Sequence, residues 1–342
     1  MNPASTPPTL SVLCLTMNPA VDLATETQRV LPTHKLRCSD TLHDAGGGGI
    51  NVARVLARMG GAPALLSLAG GPTGDWLRTR LVQEGLAATL LPIENDTRIS
   101  FTVHENATGA EFRFVMPGPT LSTQEWQACL DHLQALDPFP DVLVASGSLP
   151  PGVPDHFYAR LARLCRARGA RLVLDTAGAP LAAALDEGVY LVKPNLRELR
   201  ELMGQPLEDP AAWQAAAASL VNDGRAQVVA LTLGHLGAVL ATTQGLWVAA
   251  PLSIEVASAV GAGDSFVGGL VWAVQHHRPL TEAFAWGVAA GSAALLTTGT
   301  GLCNPQDVQR LQPTVSLSHV PTSGAQQALG QATEVRQAPD PG

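Results

Sequence analysis

The sequence predicts an α/β protein: a three-layer α/β/α arrangement with a mostly parallel sheet, helices on both of its faces, and a small β-ribbon lid. Three observations carry this. Short apolar runs at 10–15, 64–68, 141–145, 171–174, 189–192 and 228–233 have the length and residue types of buried strands. Between them, helical patterns occupy 50–59, 74–84, 122–136, 154–168, 209–222, 264–276 and 280–296. Strands that alternate with helices in this way give a parallel sheet with helices packed on both sides. The third observation is an interruption: residues from about 19 to 45 and about 97 to 116 mix polar and apolar side chains at period two. The second of these segments has the turn signal Asn106-Ala107-Thr108-Gly109 between its halves and reads as a hairpin. Antiparallel ribbons inserted into a parallel sheet are candidates for a lid over the carboxyl ends of the strands, where open α/β sheets bind ligands.

Composition narrows the class. The chain has 342 residues, 46% hydrophobic and 15% charged, with a net charge of -8, which argues against general nucleic-acid or anionic-membrane binding. No run of 18 apolar residues is present, so no membrane span is expected. The start, MNPASTPPTLSV, lacks the basic and apolar regions of a secretory signal. Five scattered cysteines without a CxxC predict a reduced, cytoplasmic chain with neither a zinc site nor a disulfide framework. Residues 1–9 and 313–342 read as flexible tails around one domain at 10–312. Of 21 basic residues only Lys35 and Lys193 are lysines, as if Arg replaced Lys wherever either would serve. A lysine that survives such a bias marks a place where a compact ammonium is needed, or has survived by chance.

Four segments have the residue types of a phosphate-handling site. Asp44-Ala45-Gly46-Gly47-Gly48-Gly49-Ile50-Asn51 leads into a helix; its glycines let backbone approach a ligand, or make a hinge. Val260-Gly261-Ala262-Gly263-Asp264-Ser265-Phe266 opens another helix, where Asp264 is either a proton acceptor beside a phosphoryl group or an N-cap. In Lys193-Pro194-Asn195-Leu196-Arg197-Glu198, Asn195 and Glu198 share a helix face and either orient hydrated Mg2+ and phosphates or cap the helix. Lys35, Arg37 and Arg98 sit on the lid ribbons, as a phosphate clamp or as exposed edge charge.

In this order along an α/β chain, DAGGGGINVAR, LVKPNLRE and AVGAGDSFVGG resemble the signature regions of the ribokinase-like (PfkB) sugar kinases, and the resemblance covers about residues 10–312. Within that family, Lys35-Leu36-Arg37-Cys38, the glycine run, Phe112-Arg113-Phe114-Val115-Met116-Pro117-Gly118 and Ser146-Gly147-Ser148-Leu149-Pro150-Pro151-Gly152 are similar to the minor 6-phosphofructokinase branch of enteric bacteria. The 1-phosphofructokinase and tagatose-6-phosphate kinase branches carry Lys as third member of the glycine run, where this chain has Gly48.

The resemblance implies a ribokinase-like fold and phosphorylation of the 1-hydroxyl of fructose 6-phosphate by MgATP. Asp264 is then the base, and the amides of Gly261, Ala262 and Gly263 stabilise the moving phosphoryl group. Asp22, Gly47, Gly48 and Asn51 hold sugar hydroxyls, and Lys35, Arg37 and Arg98 grip the 6-phosphate, with Ser148 nearby in the substrate site. Lys193, Asn195, Glu198, Thr232, Gly234 and Gly237 surround ATP, with Mg2+ reached through ATP and water near Asn195 and Glu198. A K+ ion is expected at Ser258, Val260 and Gly299, although Ala259 replaces a frequent Thr and the loop 297–301 lacks the usual Asn or Arg. Phe101, Val103, Phe112 and Phe114 offer an apolar surface for a homodimer through the lid ribbons. The alternatives are a kinase for fructose 1-phosphate or tagatose 6-phosphate, and a catalytically silent sugar-phosphate-binding regulator.

Overall fold

The computed structural model describes residues 9–299 and 301–320. Its strands are β1 (Val12–Thr16), β2 (Ala20–Thr27), β3 (Leu42–Gly46), β4 (Ala64–Ala69), β5 (Ala87–Pro92), β6 (Arg98–Glu105), β7 (Glu111–Phe114), β8 (Val142–Ser146), β9 (Arg171–Asp175), β10 (Val189–Val192), β11 (Ala226–Thr232), β12 (Ala238–Thr242), β13 (Gly245–Ala249) and β14 (Leu317–Val320). Ten of them form one sheet in the order β14-β13-β12-β11-β10-β9-β8-β1-β4-β5. The run from β11 to β5 is parallel, and β12, β13 and β14 extend it as antiparallel neighbours.

The helices are α1 (Gly48–Arg58), α2 (Gly71–Gln83), α3 (Thr123–Gln134), α4 (Phe157–Arg168), α5 (Gly178–Glu187), α6 (Leu196–Met203), α7 (Pro210–Asn222), α8 (Ala262–Gln275), α9 (Leu280–Ala294) and α10 (Pro305–Leu311). Alternate strand residues feed two cores. Leu13, Leu15, Leu143 and Leu172 pack with α3 to α7, whereas Val12, Cys14, Val144 and Val173 pack with α1, α2, α8 and α9. Strands buried on both faces read as continuous apolar runs, which is why they stand out in the sequence.

The lid is a single sheet, β3-β2-β6-β7, and not two separate antiparallel ribbons. β2 pairs with β6 in parallel, Asp22 opposite Ser100, because each follows a strand of the parallel main sheet, β1 and β5, and leaves its same edge. Arg54, 4% exposed, ties the lid to the body: it bonds Glu84 at 2.7 Å, Asp44 at 3.0 Å and the carbonyl of Ala45 at 3.1 Å.

The expected tail boundary at 312 is corrected. Residues 317–320 pair with β13, and the His319 ring packs 5.0 Å from that of Trp247. An edge strand has one ladder and one covered face, so its sequence, Leu-Ser-His-Val, has no apolar run. The remainder of the expected tails, residues 1–8 and 321–342, lies outside the described residues. No helix among the described residues is long and apolar enough to cross a membrane.

Candidate active site

A cavity of about 860 Å³ opens between the carboxyl edge of the main sheet and the lid. Three helices begin on it. Gly47, Ala177 and Gly261 are the N-cap residues of α1, α5 and α8; all three line the cavity and none caps its helix with a side chain, although Thr16 Oγ1 accepts the Ile50 N–H in the first turn of α1 at 2.8 Å. Ser122, Asn195, Asp209 and Asn304 cap α3, α6, α7 and α10, while α2, α4 and α9 also begin without a side-chain cap. An uncapped helix start presents free N–H groups and the positive end of a dipole, so this cavity favours anions in a chain of net negative charge.

Small residues are required here. Gly261 has φ 73°, the left-handed region, which turns the chain into α8. Gly48 lies so close to β8 that a Cβ would stand 2.2 Å from Ser146 Oγ. The glycine run is thus a packed helix entry and not a hinge. Asn51, one turn into α1, extends its Nδ2 to Asp264 Oδ2 at 2.8 Å.

Asp264 occupies the first turn of α8, while the N-cap is Gly261, so the capping alternative fails. Burial, reinforced by the charge of Asp175, lifts its pKa from 3.8 to about 7, against the Asn51 hydrogen bond and the Lys193 charge, which favour the ionised form. The carboxyl is therefore poised to exchange a proton near neutrality. Lys193, 5% exposed, pairs with Asp175 at 3.1 Å and passes beneath the α8 entry. Burial works against its ammonium, but the carboxylates of Asp175, Glu198 and Asp264 outweigh that and raise its pKa.

Asn195 and Glu198 form a full capping box, with backbone-to-side-chain bonds of 2.8 and 2.9 Å. Of the residues expected around a nucleotide, Glu198 lines the cavity. Asn195 bridges to Thr232, and Gly234 and Gly237 shape the turn after β11 at the same sheet edge. No group of three or more His, Cys, Asp or Glu side chains suited to a metal occurs among the described residues. Ser258 Oγ lies 3.2 Å from both the Gly299 carbonyl and Glu111 Oε2 and accepts the Val260 N–H at 3.2 Å. The three residues expected at K+ are thus adjacent, while Thr300 lies outside the described residues.

Asp22, Gly47, Gly48, Asn51, Arg98 and Ser148 all line the cavity. Ser148 is held by Asn18 Nδ2 at 3.1 Å, and Arg98 by the carbonyls of Met116 and Asn18 at 2.6 and 2.9 Å. Lys35 and Arg37 do not join them: they lie on the exposed connection between β2 and β3, which runs off the outer end of the lid. In their place the structure supplies Arg113 on β7, whose charge acts on Asp22. Burial raises the Asp22 pKa, with Arg98 and Arg113 opposing. In the sequence Arg113 figures only in the run Phe112–Gly118, without a role of its own, and Asp175 not at all, although a carboxylate at the carboxyl end of a buried parallel strand is itself a signal.

Comparison with known proteins agrees with this geometry. Residues 12–307 match the pfkB family of carbohydrate kinases. The chain is 43% identical over 299 residues to the ATP-dependent 6-phosphofructokinase isozyme 2 of Mycobacterium tuberculosis, covering 87% of this chain and 88% of that one. It is 38% identical over 301 residues to the enzyme of that name from Escherichia coli, covering 88% and 97%. A crystal structure of the phosphofructokinase-2 from Escherichia coli in complex with potassium superposes with a TM-score of 0.85 at 37% identity, covering 89% of this chain and 99% of that one.

Proposed function

Since the chain belongs to the pfkB family of carbohydrate kinases, with the ribokinase-like fold and phosphofructokinase relatives, we propose that it is an ATP-dependent 6-phosphofructokinase. It moves the γ-phosphoryl group of ATP to the 1-hydroxyl of fructose 6-phosphate, giving ADP and fructose 1,6-bisphosphate. The observation that carries the reading is Asp264: a half-buried carboxyl with a pKa of about 7, held by Asn51 in the first turn of α8 and flanked by Lys193. A pure binder gains nothing from a carboxylate beside a phosphate, which disfavours the silent regulator.

Asp264 accepts the proton of the 1-hydroxyl as its oxygen bonds to phosphorus and the bond to the ADP oxygen breaks. The amides at 261–263, of which that of Ala262 also meets the Ala259 carbonyl at 3.5 Å, and the Lys193 ammonium face the charge that develops on the phosphoryl oxygens. Asp22, Gly47, Gly48 and Asn51 hold sugar hydroxyls, and Arg98, Arg113 and Ser148 hold the 6-phosphate. Closure of the lid keeps water from the phosphoryl group. Lys193, Asn195, Glu198, Thr232, Gly234 and Gly237 hold the nucleotide. The donor set of Glu198 and Asn195, with no acidic cluster beside it among the described residues, fits Mg2+ that arrives with ATP and is reached through water. Bound there, Mg2+ neutralises phosphate charge. The converging oxygens of Ser258 and Gly299 fit K+, and turnover is expected to be faster in K+ than in Na+.

The lid also supports a homodimer. Phe101 and Phe114 stack with ring centroids 4.6 Å apart yet remain 37% and 44% exposed, a surface that a second lid would cover. A cytoplasmic location, with its ATP and sugar phosphates, follows from this reading.

The test is ADP release with MgATP against fructose 6-phosphate, fructose 1-phosphate, tagatose 6-phosphate and ribose. The highest kcat/KM is expected for fructose 6-phosphate. A preference for fructose 1-phosphate or tagatose 6-phosphate moves the enzyme to a sister specificity, and no turnover at all revives the silent regulator.

A further inference from the structure

The lid has one buried polar group that neither the fold nor the reaction above uses. Ser100, on β6, is 9% exposed and lines the cavity, and its Oγ has no hydrogen-bond partner among the described residues. Partnerless buried hydroxyls are uncommon in native proteins, because the desolvation they suffer is uncompensated. One that faces a substrate cavity has its compensation in the substrate.

The neighbours of Ser100 define what would satisfy it. Asp22 is its register partner on β2, so the two side chains leave the same face of the lid sheet about 4.8 Å apart at the backbone, with the Asp22 carboxylate leaning toward Gly46 of β3. A phosphate oxygen is a poor fit, since it is anionic and only accepts, and the Asp22 carboxylate shares this face of the lid. A sugar hydroxyl fits both partners: its proton goes to the carboxylate, while its oxygen accepts from the serine. Arg98, two residues from Ser100, and Arg113 supply the positive charge that keeps Asp22 able to play this part.

We propose that Ser100 is a substrate-contacting residue, whose hydroxyl donates to a ring hydroxyl of the sugar phosphate that itself donates to Asp22. The assignment rests on the sugar-phosphate kinase reading and deepens it, since it places part of the sugar recognition on the lid. Binding of the sugar completes a hydrogen-bond set that the free enzyme leaves open.

The test compares wild type with Ser100→Ala by initial-rate kinetics and by thermal unfolding with and without fructose 6-phosphate. Without sugar, Ser100→Ala is expected to melt at or above the wild-type temperature, because the variant removes an uncompensated hydroxyl. Its KM for fructose 6-phosphate should rise about 2- to 12-fold, the worth of one neutral hydrogen bond, with KM for ATP unchanged. The melting shift produced by fructose 6-phosphate should shrink. An unchanged KM and an unchanged melting shift overturn the proposal, as does a variant that melts lower without sugar and loses affinity for both substrates, the pattern of a structural serine. If wild type turns over no fructose 6-phosphate, the parent reading fails by itself. The melting shifts given by fructose 1-phosphate and tagatose 6-phosphate in the two proteins then decide whether Ser100 reads a sugar hydroxyl.

Discussion

Replacing Asp264 with Asn should slow the enzyme and stabilise it at the same time. The Asp264 pKa stands at about 7 in the folded protein against an ordinary 3.8. Between those values the folded chain keeps a proton that the unfolded chain has released, so stability falls as pH rises. The contribution is present in full below about pH 4 and is lost as pH rises through about 7. A displacement of about 3 pH units, at about 1.4 kcal/mol each, amounts to about 4 kcal/mol at pH 8. Asn is uncharged throughout and its Oδ1 can still accept the Asn51 amide, so Asp264→Asn escapes the loss. The advantage of the variant over wild type, read from denaturant unfolding, should widen by about 2–3 kcal/mol between pH 5 and pH 8. Turnover should fall by about 10² to 10⁴, the usual worth of a general base. In the wild type, kcat/KM for the sugar phosphate should decline below about pH 7 as the base protonates. A stability difference that does not change with pH would refute the burial argument, and undiminished turnover would remove Asp264 from its role as base.

Further outcomes follow from the same geometry. Lys193→Met takes the ammonium from the half-buried Asp175 carboxylate, which also faces the cavity, and should destabilise the fold by about 1–3 kcal/mol. It should also move the acid limb of the pH–rate profile upward, and an unmoved limb in protein that still folds would show that Lys193 does not act on Asp264. Arg113→Ala should raise KM for fructose 6-phosphate by about 10-fold or more, the worth of a charge-assisted bond, with KM for ATP unaltered; equal changes in both constants would count against a phosphate contact. Of the five cysteines, Cys38 is exposed and the other four are buried, with burial raising their pKa values. One thiol should therefore react quickly with a chromogenic disulfide in native protein, and a second fast equivalent would contradict the buried positions.

Much of this architecture is legible in the sequence because it is locally encoded. The parallel strands are buried on both faces and show as apolar runs; α1 and α8 announce themselves by glycines that close approach demands. What depends on a distant partner is not legible. β14 is an ordinary polar segment until β13 supplies its ladder, and the parallel pairing of β2 with β6 joins residues some 80 apart along the chain. The same holds within the site. Asp264 reads equally as a cap or a base until its N-cap is seen to be Gly261. Arg113 and Lys35 are both cations on a lid ribbon, and only the register of β7 against β6 brings the first to the cavity while the second stays outside.

The Asn51–Asp264 hydrogen bond links positions 213 residues apart. Around it, α1 packs on α8, and the strands that precede the two helices belong to different sheets, β3 to the lid and β13 to the main sheet. Contacts of such separation form late, after the loops between them have been closed. A nascent chain that has completed β1 to β10 has a glycine-rich helix start and a sugar-facing carboxylate, but no base and no anion hole. Phosphoryl transfer, and with it the risk of wasting ATP on water, begins only when the last third of the chain is in place. Recovery of turnover after dilution from denaturant should accordingly lag behind recovery of helical signal, which makes catalysis the most demanding probe of complete folding in this protein.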